Sequence, residues 1–354
     1  MRITPSKKLK ELMLEVNART QPRTAAAFFQ AARKLPTVRL KKILAATDFS
    51  DLSMHGVQYA FSLADKLGAE VSLVHVVRPS SHFTGTESSL LIRDDLEVLE
   101  LAESDLAKIA ETHSKKDSMV KSFVRYGQPF NEIANLACSR AMDIVVMATQ
   151  GHTGLKRFLL GGTTERVVRH APCPVLTIPS HSRDGNVPAF RLRKIIVPID
   201  FSETSVQALP YAAALAERFE AEIILLHVLE PLPVPPDSGY LPQATSLGEA
   251  SRQAVEDQLA RLAREVFSDT LSARTLVRTG APFRAITRTA QSLGADLIVL
   301  TTHGYTGLMH VLLGSTAERV VRHADCPVLI VRELDQGTER IALKRGSRRK
   351  QSTR

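Results

Sequence analysis

The residues best suited to chemistry in this chain are two aspartates and two sets of glycines. Asp48 and Asp200 each follow an apolar run and begin the same triplet, Asp-Phe-Ser. Gly161 and Gly314 each stand just before a helix-like run, where free N–H groups and the positive end of the helix dipole favour phosphate. Two interpretations stay open: a phosphate site with aspartate contacts, or turn glycines and helix-capping aspartates.

The glycine stretch occurs twice in the sequence. Thr301–Arg332 is matched by Ala148–Pro179, so that Gly304 corresponds to Gly151, and both stretches end in Cys-Pro-Val-Leu followed by an apolar residue or threonine. A duplication at fixed spacing weakens the turn-glycine interpretation. The chain is therefore read as a tandem repeat.

Alternating strands and helices are predicted to position these residues. Short β-branched apolar runs predict buried strands, and amphipathic segments between them predict helices. The opening strands are Lys42–Thr47 and Lys194–Ile199, the following helices Asp51–Leu67 and Glu203–Phe219, with Ser50, Ser202 and Ser315 as N-caps, and the later helices about Arg93–Ser114 and Gly248–Val266. Five strands alternate with four helices in each repeat.

This alternation predicts the fold class: α/β, with two tandem, doubly wound, five-stranded parallel-sheet domains of Rossmann-like type. In such sheets a ligand binds beyond the carboxyl ends of the strands, at the switch point of strand order. Asp48 and Val76 follow or end the first two strands of the first repeat, as Asp200 and Val228 do in the second. We expect each set to meet a glycine loop in one crevice.

Length and composition favour a globular, intracellular protein. The 354 residues are 44% hydrophobic, and no run approaches the ~18 apolar residues of a membrane span. The three cysteines, Cys138, Cys173 and Cys326, cannot build a disulfide framework, and the last two are predicted to be core residues. A cytoplasmic location without membrane contact is the expectation.

The positive charge lies at the two ends of the chain. Residues 1–39 carry nine Lys and Arg against two acidic residues, and residues 333–354 carry seven against three, whereas the body between them is slightly acidic. The body is therefore not predicted to bind nucleic acid specifically, and weak non-specific contact through the ends is all that the charge favours.

Five segments are predicted along the chain. Residues 1–39 form a basic, helical or partly disordered extension, with a helical piece at Thr24–Leu35, and residues 333–354 a basic disordered tail. Between them lie domain 1 (40–179), a Gly- and Pro-containing linker (180–192) and domain 2 (193–332).

Common catalytic motifs are missing from the sequence. It contains no G-x-x-x-x-G-K-[ST] loop, no G-x-G-x-x-G fingerprint and no G-x-S-x-G elbow. His75 and His227 at strand ends are predicted to be packed, hydrogen-bonded side chains, and His170 and His323 to lie near helix carboxyl ends. No histidine or cysteine cluster has the spacing of metal ligands, so no metal site and no catalytic residue is assigned.

Both repeats resemble nucleotide-binding domains of the universal stress protein family. The resemblance covers about 40–179 and 193–332 and rests on the Asp-Phe-Ser strand end, His-Val after the second strand, G-x-P before the third helix, and the glycine stretch. The phosphate-loop pattern of that family is glycine, two residues, glycine, nine residues, glycine, then serine or threonine. The second repeat departs from it at Thr301, and the first departs at Ala148 and at Gly162, where the hydroxyl belongs.

The resemblance implies an adenine-nucleotide site in each repeat. Asp200 would face the ribose or purine, the Val228 backbone would lie against adenine, and the glycine stretch would surround the phosphates. The implied residues of the second repeat are Pro198, Ile199, Asp200, Val228, Thr301, Gly304, Gly314, Ser315 and Thr316, and those of the first are Thr47, Asp48, Val76, Gly151, Gly161, Gly162 and Thr163. The second repeat, with a hydroxyl at Ser315, is expected to bind more tightly.

The implied function is stress-response binding of ATP or a related adenine nucleotide, with or without Mg²⁺, in a regulatory role. Two alternatives stay open: a slow ATPase or phosphoryl-transfer enzyme that binds metal through Asp48 or Asp200, and an interaction module with empty pockets. The resemblance also implies that the last strands pair the two domains as an intramolecular pseudo-dimer, with a homodimer of chains as a further option.

Overall fold

A computed structural model describes residues 25–79, 88–113, 120–149, 160–179, 190–231, 241–267, 271–302 and 313–332. Their elements alternate as predicted for an α/β protein. In chain order they are α1 (Ala25–Arg33), β1 (Lys42–Ala46), α2 (Asp51–Leu67), β2 (Glu70–Val77), α3 (Ser88–His113), β3 (Lys121–Tyr126), α4 (Pro129–Ser139), β4 (Ile144–Ala148), α5 (Gly162–His170), β5 (Val175–Ile178), β6 (Lys194–Pro198), a 3₁₀ helix (Ser205–Ala208), α6 (Leu209–Phe219), β7 (Glu222–Leu229), α7 (Leu241–Val266), β8 (Ala273–Thr279), α8 (Pro282–Leu293), β9 (Leu297–Thr301), α9 (Ser315–His323) and β10 (Val328–Val331).

The chain forms two compact units. One contains residues 39–190 with 301–303 and 308–354, and is called here the first-repeat unit; the other contains 1–38, 191–300 and 304–307, and is called the second-repeat unit. No helix among the described residues is both long and apolar enough to cross a bilayer.

The sheet of the first-repeat unit has the order β3-β2-β1-β4-β5-β10. The first five strands are parallel, and β10 runs antiparallel to β5, with Leu329 opposite Leu176. Chain order reverses between β1 and β4, because the connection from β1 leads away to β2 on the other side. The switch point predicted for a ligand site therefore lies at β1 and β4.

The sheet of the second-repeat unit has the order β9-β6-β7-β8, all parallel. The central residues of β6, β7 and β9 are apolar and almost fully excluded from solvent, as are those of β1 and β4. Continuous apolar strands are expected where helices cover both faces of a parallel sheet.

Close packing of α2 on the sheet explains a glycine in the middle of that helix. A Cβ on Gly56 would lie 3.4 Å from the backbone nitrogen of Ala148 at the end of β4. Gly127 and Gly280 have φ values of +145° and +141°, so the backbone just before α4 and α8 requires glycine.

The first helix of the second repeat differs from its prediction. A continuous helix over Glu203–Phe219 is wrong, because the structure has a 3₁₀ turn at Ser205–Ala208 and starts α6 only at Leu209. Pro210 replaces Gln58 of the first repeat. Proline lacks the N–H that would continue the α-helical ladder to the preceding turn, so it is tolerated only in the first turn of the new helix.

Two of the three predicted N-cap residues are not the N-caps that the structure has. Ser50 caps α2, and its hydroxyl accepts a hydrogen bond from the Ser53 N–H at 3.2 Å. Ser202 accepts one from the Ser205 N–H at 3.1 Å, although Thr204 directly precedes the 3₁₀ turn. Ser315 is wrong as a cap: Gly314 is the N-cap of α9, and Ser315 is the first helical residue.

Other predictions from the sequence hold. Cys173 and Cys326 are buried in the core, and burial raises the pKa of the Cys173 thiol to about 12. His170 and His323 lie in the last turns of α5 and α9. The helical piece at Thr24–Leu35 is confirmed as α1, whereas the segment before residue 25 and the tail after 332 lie outside the described residues.

Candidate functional site

The Asp48 loop of the first repeat is a compact hydrogen-bonded turn between β1 and α2. One carboxylate oxygen of Asp48 accepts hydrogen bonds from the Ser50 backbone N–H at 3.2 Å and from the Ser50 hydroxyl at 2.6 Å. The Thr47 hydroxyl accepts the Phe49 N–H at 2.9 Å and shares a further hydrogen bond with the Ser53 hydroxyl. Asp48 therefore orders the loop through Ser50, whatever else it contacts.

A histidine from the neighbouring strand supports this loop. His75 Nδ1 donates to the carbonyl oxygen of Thr47 at 2.9 Å, which requires the tautomer protonated at Nδ1. Phe49 stacks on the His75 ring with centroids 4.4 Å apart. This contact holds Phe49 at φ +64°, a left-handed conformation that costs about 1–2 kcal/mol in a residue other than glycine.

Burial lowers the pKa of His75 below its usual 6.5, against the opposing effects of the Thr47 carbonyl and the Asp48 charge. His227 has a lowered pKa for the same reason, opposed by the Ile199 carbonyl and Asp200. Both rings are therefore neutral at pH 7 and act as fixed donors. The prediction that they are packed, hydrogen-bonded side chains is confirmed.

The start of α5 is anchored to the end of β4 in the first repeat. Gly161 is the N-cap, and its N–H donates to the Thr149 carbonyl at 2.8 Å. The Thr164 hydroxyl donates to the Ala148 carbonyl at 2.9 Å and is buried. Gly162 is exposed, and an added Cβ there would meet nothing within 4 Å. The helix start thus opens outward, with N–H groups that have no intrahelical acceptor.

A cation lies at this helix start. Arg78, directly beyond β2, donates from its guanidinium to the Thr163 hydroxyl at 3.3 Å. Arg78 therefore brings a positive charge next to the first turn of α5, where the helix dipole already favours an anion. At the corresponding position after β7 the second repeat has Glu230.

The first repeat thus gathers most of its implied site residues at the carboxyl ends of adjacent strands. Asp48 follows β1, Val76 is the next-to-last residue of β2, and Gly161–Thr163 follow β4. These positions flank the switch point between β1 and β4. Gly151, from the same implied set, lies outside the described residues.

The Asp200 loop repeats the same design inside the second-repeat unit. One oxygen of Asp200 accepts from the Ser202 N–H at 3.0 Å and from its hydroxyl at 2.5 Å. His227 Nδ1 donates to the Ile199 carbonyl at 2.7 Å, and the ring lies 4.9 Å from that of Phe201, which has φ +60°. Pro198 ends β6, and Val228 is half-buried near the end of β7.

The corresponding glycine of the second repeat precedes α9, which belongs to the first-repeat unit. The Gly314 N–H donates to the Thr302 carbonyl at 2.8 Å, as Gly161 does to Thr149. Ser315 is exposed and Thr316 is half-buried in the first turn of α9. Thr301 ends β9, and Gly304 lies outside the described residues.

Sequence reasoning missed three features of these loops. Arg78 belongs to no recognisable motif, and the left-handed Phe49 and Phe201 carry no glycine or asparagine signal. The repeats also exchange a hydroxyl: Ala148 and Thr164 in the first repeat correspond to Thr301 and Ala317 in the second. Comparing the two repeats position by position could have revealed Arg78 opposite Glu230 and this exchange.

No group of three or more His, Cys, Asp or Glu side chains among the described residues could hold a metal ion. Within the first repeat, the helix start, the Arg78 charge and the Thr163 hydroxyl form a set that suits an anionic oxygen ligand.

Comparison with known proteins gives the same family for both repeats. The profile of the universal stress protein family matches residues 39–179 and 191–332. A universal stress protein of Methanocaldococcus jannaschii is 34% identical over 144 residues, which cover 40% of this chain and 82% of that protein.

One of two similar solved structures has the same architecture over most of the chain. A universal stress protein from Archaeoglobus fulgidus superposes with a TM-score of 0.57 at 21% identity, covering 83% of this chain and 97% of that one. A universal stress protein solved in complex with cAMP covers 40% of this chain and 98% of its own, at 24% identity and a TM-score of 0.31. The first match supports tandem Rossmann-like domains, as predicted.

Proposed function

We propose that this chain, which belongs to the universal stress protein family, binds ATP or a related adenine nucleotide and serves a regulatory rather than a catalytic role. The family membership supplies the class of function. The geometry of the first repeat supports the choice of site residues, because Asp48, Val76 and Gly161–Thr163 flank one switch point of a parallel sheet.

The observation that carries the proposal is the contact between Arg78 and Thr163. A guanidinium that contacts a hydroxyl in the first turn of a helix forms, with the helix N–H groups, a set of donors suited to phosphate oxygens. The nucleotide phosphates would lie against Gly161, Gly162 and Thr163, and the ribose near Asp48.

The second repeat is proposed as the tighter of the two sites. Its α9 begins with two consecutive hydroxyl residues, Ser315 and Thr316, where α5 has Gly162 and Thr163. A hydrogen bond to a charged phosphate contributes about 1.5–3 kcal/mol, so one additional hydroxyl is a sizeable advantage. Arg78 gives the first repeat a positive charge where the second has Glu230, but it is exposed to solvent and offsets only part of this advantage.

A regulatory role is proposed because the polar groups near the loop already have structural partners. Asp48 and Asp200 hold serine hydroxyls, and His75 and His227 hold backbone carbonyls. A general base needs a partner to deprotonate, and these side chains are engaged in ordering their own turns. The chain is proposed to act in the cytoplasm and to bind the nucleotide with or without Mg²⁺ on its phosphates.

The domain layout of 40–179 and 193–332, joined by 180–192, is likewise proposed. The antiparallel pairing of β5 with β10 supports an intramolecular pseudo-dimer, because it joins the last strands of the two repeats.

Mass spectrometry of the small molecules released from freshly purified, denatured protein tests the function. The proposal expects an adenine nucleotide, or binding of added ATP where none is retained. Protein that neither retains nor binds one would be an interaction module instead. Multiple turnovers of ATP that disappear in Asp200→Asn protein would establish the enzymatic alternative.

A further inference from the structure

The helix α1 packs on the second repeat and reaches its Asp200 loop. Phe28, Phe29 and Ala32 are each at most 5% exposed, although they belong to an extension that precedes both repeats. The Phe28 ring meets the edge of the Phe201 ring with centroids 5.4 Å apart and an interplanar angle of 69°. Phe201 immediately follows Asp200.

The other end of α1 is fixed to α7. Arg33 donates two hydrogen bonds to the Glu265 carboxylate, at 3.1 and 3.2 Å, and Arg261 donates to the same carboxylate at 2.8 Å. The Arg261 guanidinium also lies over the Phe29 ring, 4.1 Å from its centroid. The Arg261 cation–π contact thus sets the position of α1 along α7, and the exposed Arg33 ion pair adds little to it.

The first repeat lacks the residues for such a contact. Lys108 and Thr112 correspond in sequence to Arg261 and Glu265. Lys108 pairs with Asp105 at 2.9 Å, and the Thr112 hydroxyl bonds back to the Lys108 carbonyl. Among the described residues, the contact between α1 and an Asp-Phe-Ser loop therefore belongs to the second repeat.

The two phenylalanines of the loops are held in different ways. Phe49 lies nearly parallel to His75, at 4.4 Å and 27°, whereas Phe201 is tilted by 39° against His227 at 4.9 Å. Phe201 thus has less overlap with its histidine and an additional edge contact with Phe28. Since Phe201 is in the left-handed region at φ +60°, surrounding packing must hold it there.

We propose that Phe28 is a positioning residue for the second nucleotide site: through Phe201 it fixes the turn that presents Asp200. This inference rests on the proposed function, because Asp200 is taken to face the nucleotide. It makes α1 a support of the second site and predicts that the first site does not depend on α1.

The test compares Phe28→Ala with Phe28→Leu in full-length protein that carries Gly161→Val, so that ATP titration reports the second site. Phe28→Ala should weaken ATP binding by about fivefold or more, the lower end of coupling between linked sites. Phe28→Leu, which keeps apolar bulk in the pocket, should restore most of the affinity. Arg33→Ala, which breaks the exposed ion pair and leaves both rings, is the matched control and should change affinity little.

Two further readouts separate the outcomes. Amide hydrogen exchange over 201–208 in nucleotide-free protein should accelerate in Phe28→Ala and stay unchanged at 49–56. If exchange accelerates but no variant binds ATP, the proposed function fails and the positioning role stands. Unchanged ATP affinity in folded Phe28→Ala, or equal weakening of the first site measured in a Gly314→Val background, would overturn the inference.

Discussion

The two Asp-Phe-Ser loops have nearly the same hydrogen bonds and different surroundings. In each, the aspartate holds the serine two residues later, and a histidine from the next strand donates to the carbonyl just before the aspartate. The first loop then relies on a stacked Phe49–His75 pair, whereas the second adds Phe28 from α1. Duplication has preserved the turn and changed what holds it.

The two helix starts that we propose to bind phosphate differ in their charged and hydroxyl residues. The first has a guanidinium, Arg78, beside one hydroxyl of α5, and the second has a carboxylate, Glu230, in the corresponding sequence position and two hydroxyls at the start of α9. One repeat offers charge and the other offers neutral donors. The two sites should therefore respond differently to ligand charge and to salt.

Exchanging the hydroxyl at the helix start should have the largest effect. Ser315→Gly should weaken ATP binding at the second site about tenfold if one hydrogen bond of ~1.5 kcal/mol is lost. Gly162→Ser should strengthen the first site by a similar factor, because an added Cβ at residue 162 meets nothing within 4 Å. No change in either direction would mean that Thr163, Thr316 or the backbone N–H groups suffice.

Reversing the charge at residue 78 should have the next largest effect. Arg78 is exposed, so Arg78→Glu removes an attraction of ~0.5 kcal/mol and adds repulsion of ~0.5 kcal/mol, and ATP binding at the first site should weaken about fivefold. Titration in a Gly314→Val background measures that site. Adenosine, which has no phosphate, is the control ligand and should bind with unchanged affinity.

The reciprocal variant, Glu230→Arg, should strengthen ATP binding at the second site and make it more sensitive to salt. Equal losses for ATP and adenosine in Arg78→Glu would show that the residue supports the loop rather than the phosphates.

A pH effect shared by both loops should be the smallest. Burial lowers the pKa of His75 and His227 below 6.5, so the folded chain binds fewer protons than the unfolded chain between the lowered pKa and 6.5. The contribution of the neutral histidines to the free energy of unfolding should thus be fully present above about pH 7 and should decrease as the pH falls through 6.5.

His75→Asn keeps a donor for the Thr47 carbonyl and removes the titration, so its denaturation midpoint should depend less on pH than that of the wild type. His227→Asn is its counterpart in the second repeat. A pH dependence that neither variant reduces would mean that other groups control acid stability.

The sequence was a good guide to elements and a poor guide to what surrounds them. Repeat spacing and apolar runs located β1 and β6 to within one residue, because buried parallel strands have a strong pattern. The break before α6 was missed although Pro210 was visible, since the first repeat suggested a continuous helix. Ser315 was misassigned as a cap because cap and first helical residue favour similar side chains.

The supporting contacts could not be read from sequence. The docking of Phe28 on Phe201 joins residues far apart in the chain, and the left-handed Phe49 and Phe201 occur where glycine would be expected. Such conformations are dictated by tertiary packing and not by local preference. The pairing of Arg78 with Thr163 likewise depends on the order of strands in the folded sheet.

The most direct test of the account is a calorimetric titration of full-length protein with ATP, using Gly161→Val and Gly314→Val. Both glycines have φ near −60°, which valine can adopt, so the variants should fold while the added bulk obstructs the helix start. The account predicts one ATP for each repeat in the wild type. It also predicts the loss of one site in each variant and, because the Arg78 charge offsets much of the Ser315 advantage, about twofold tighter binding at the site that remains in Gly161→Val protein. Folded variants that bind as much ATP as the wild type, and as tightly, would contradict it.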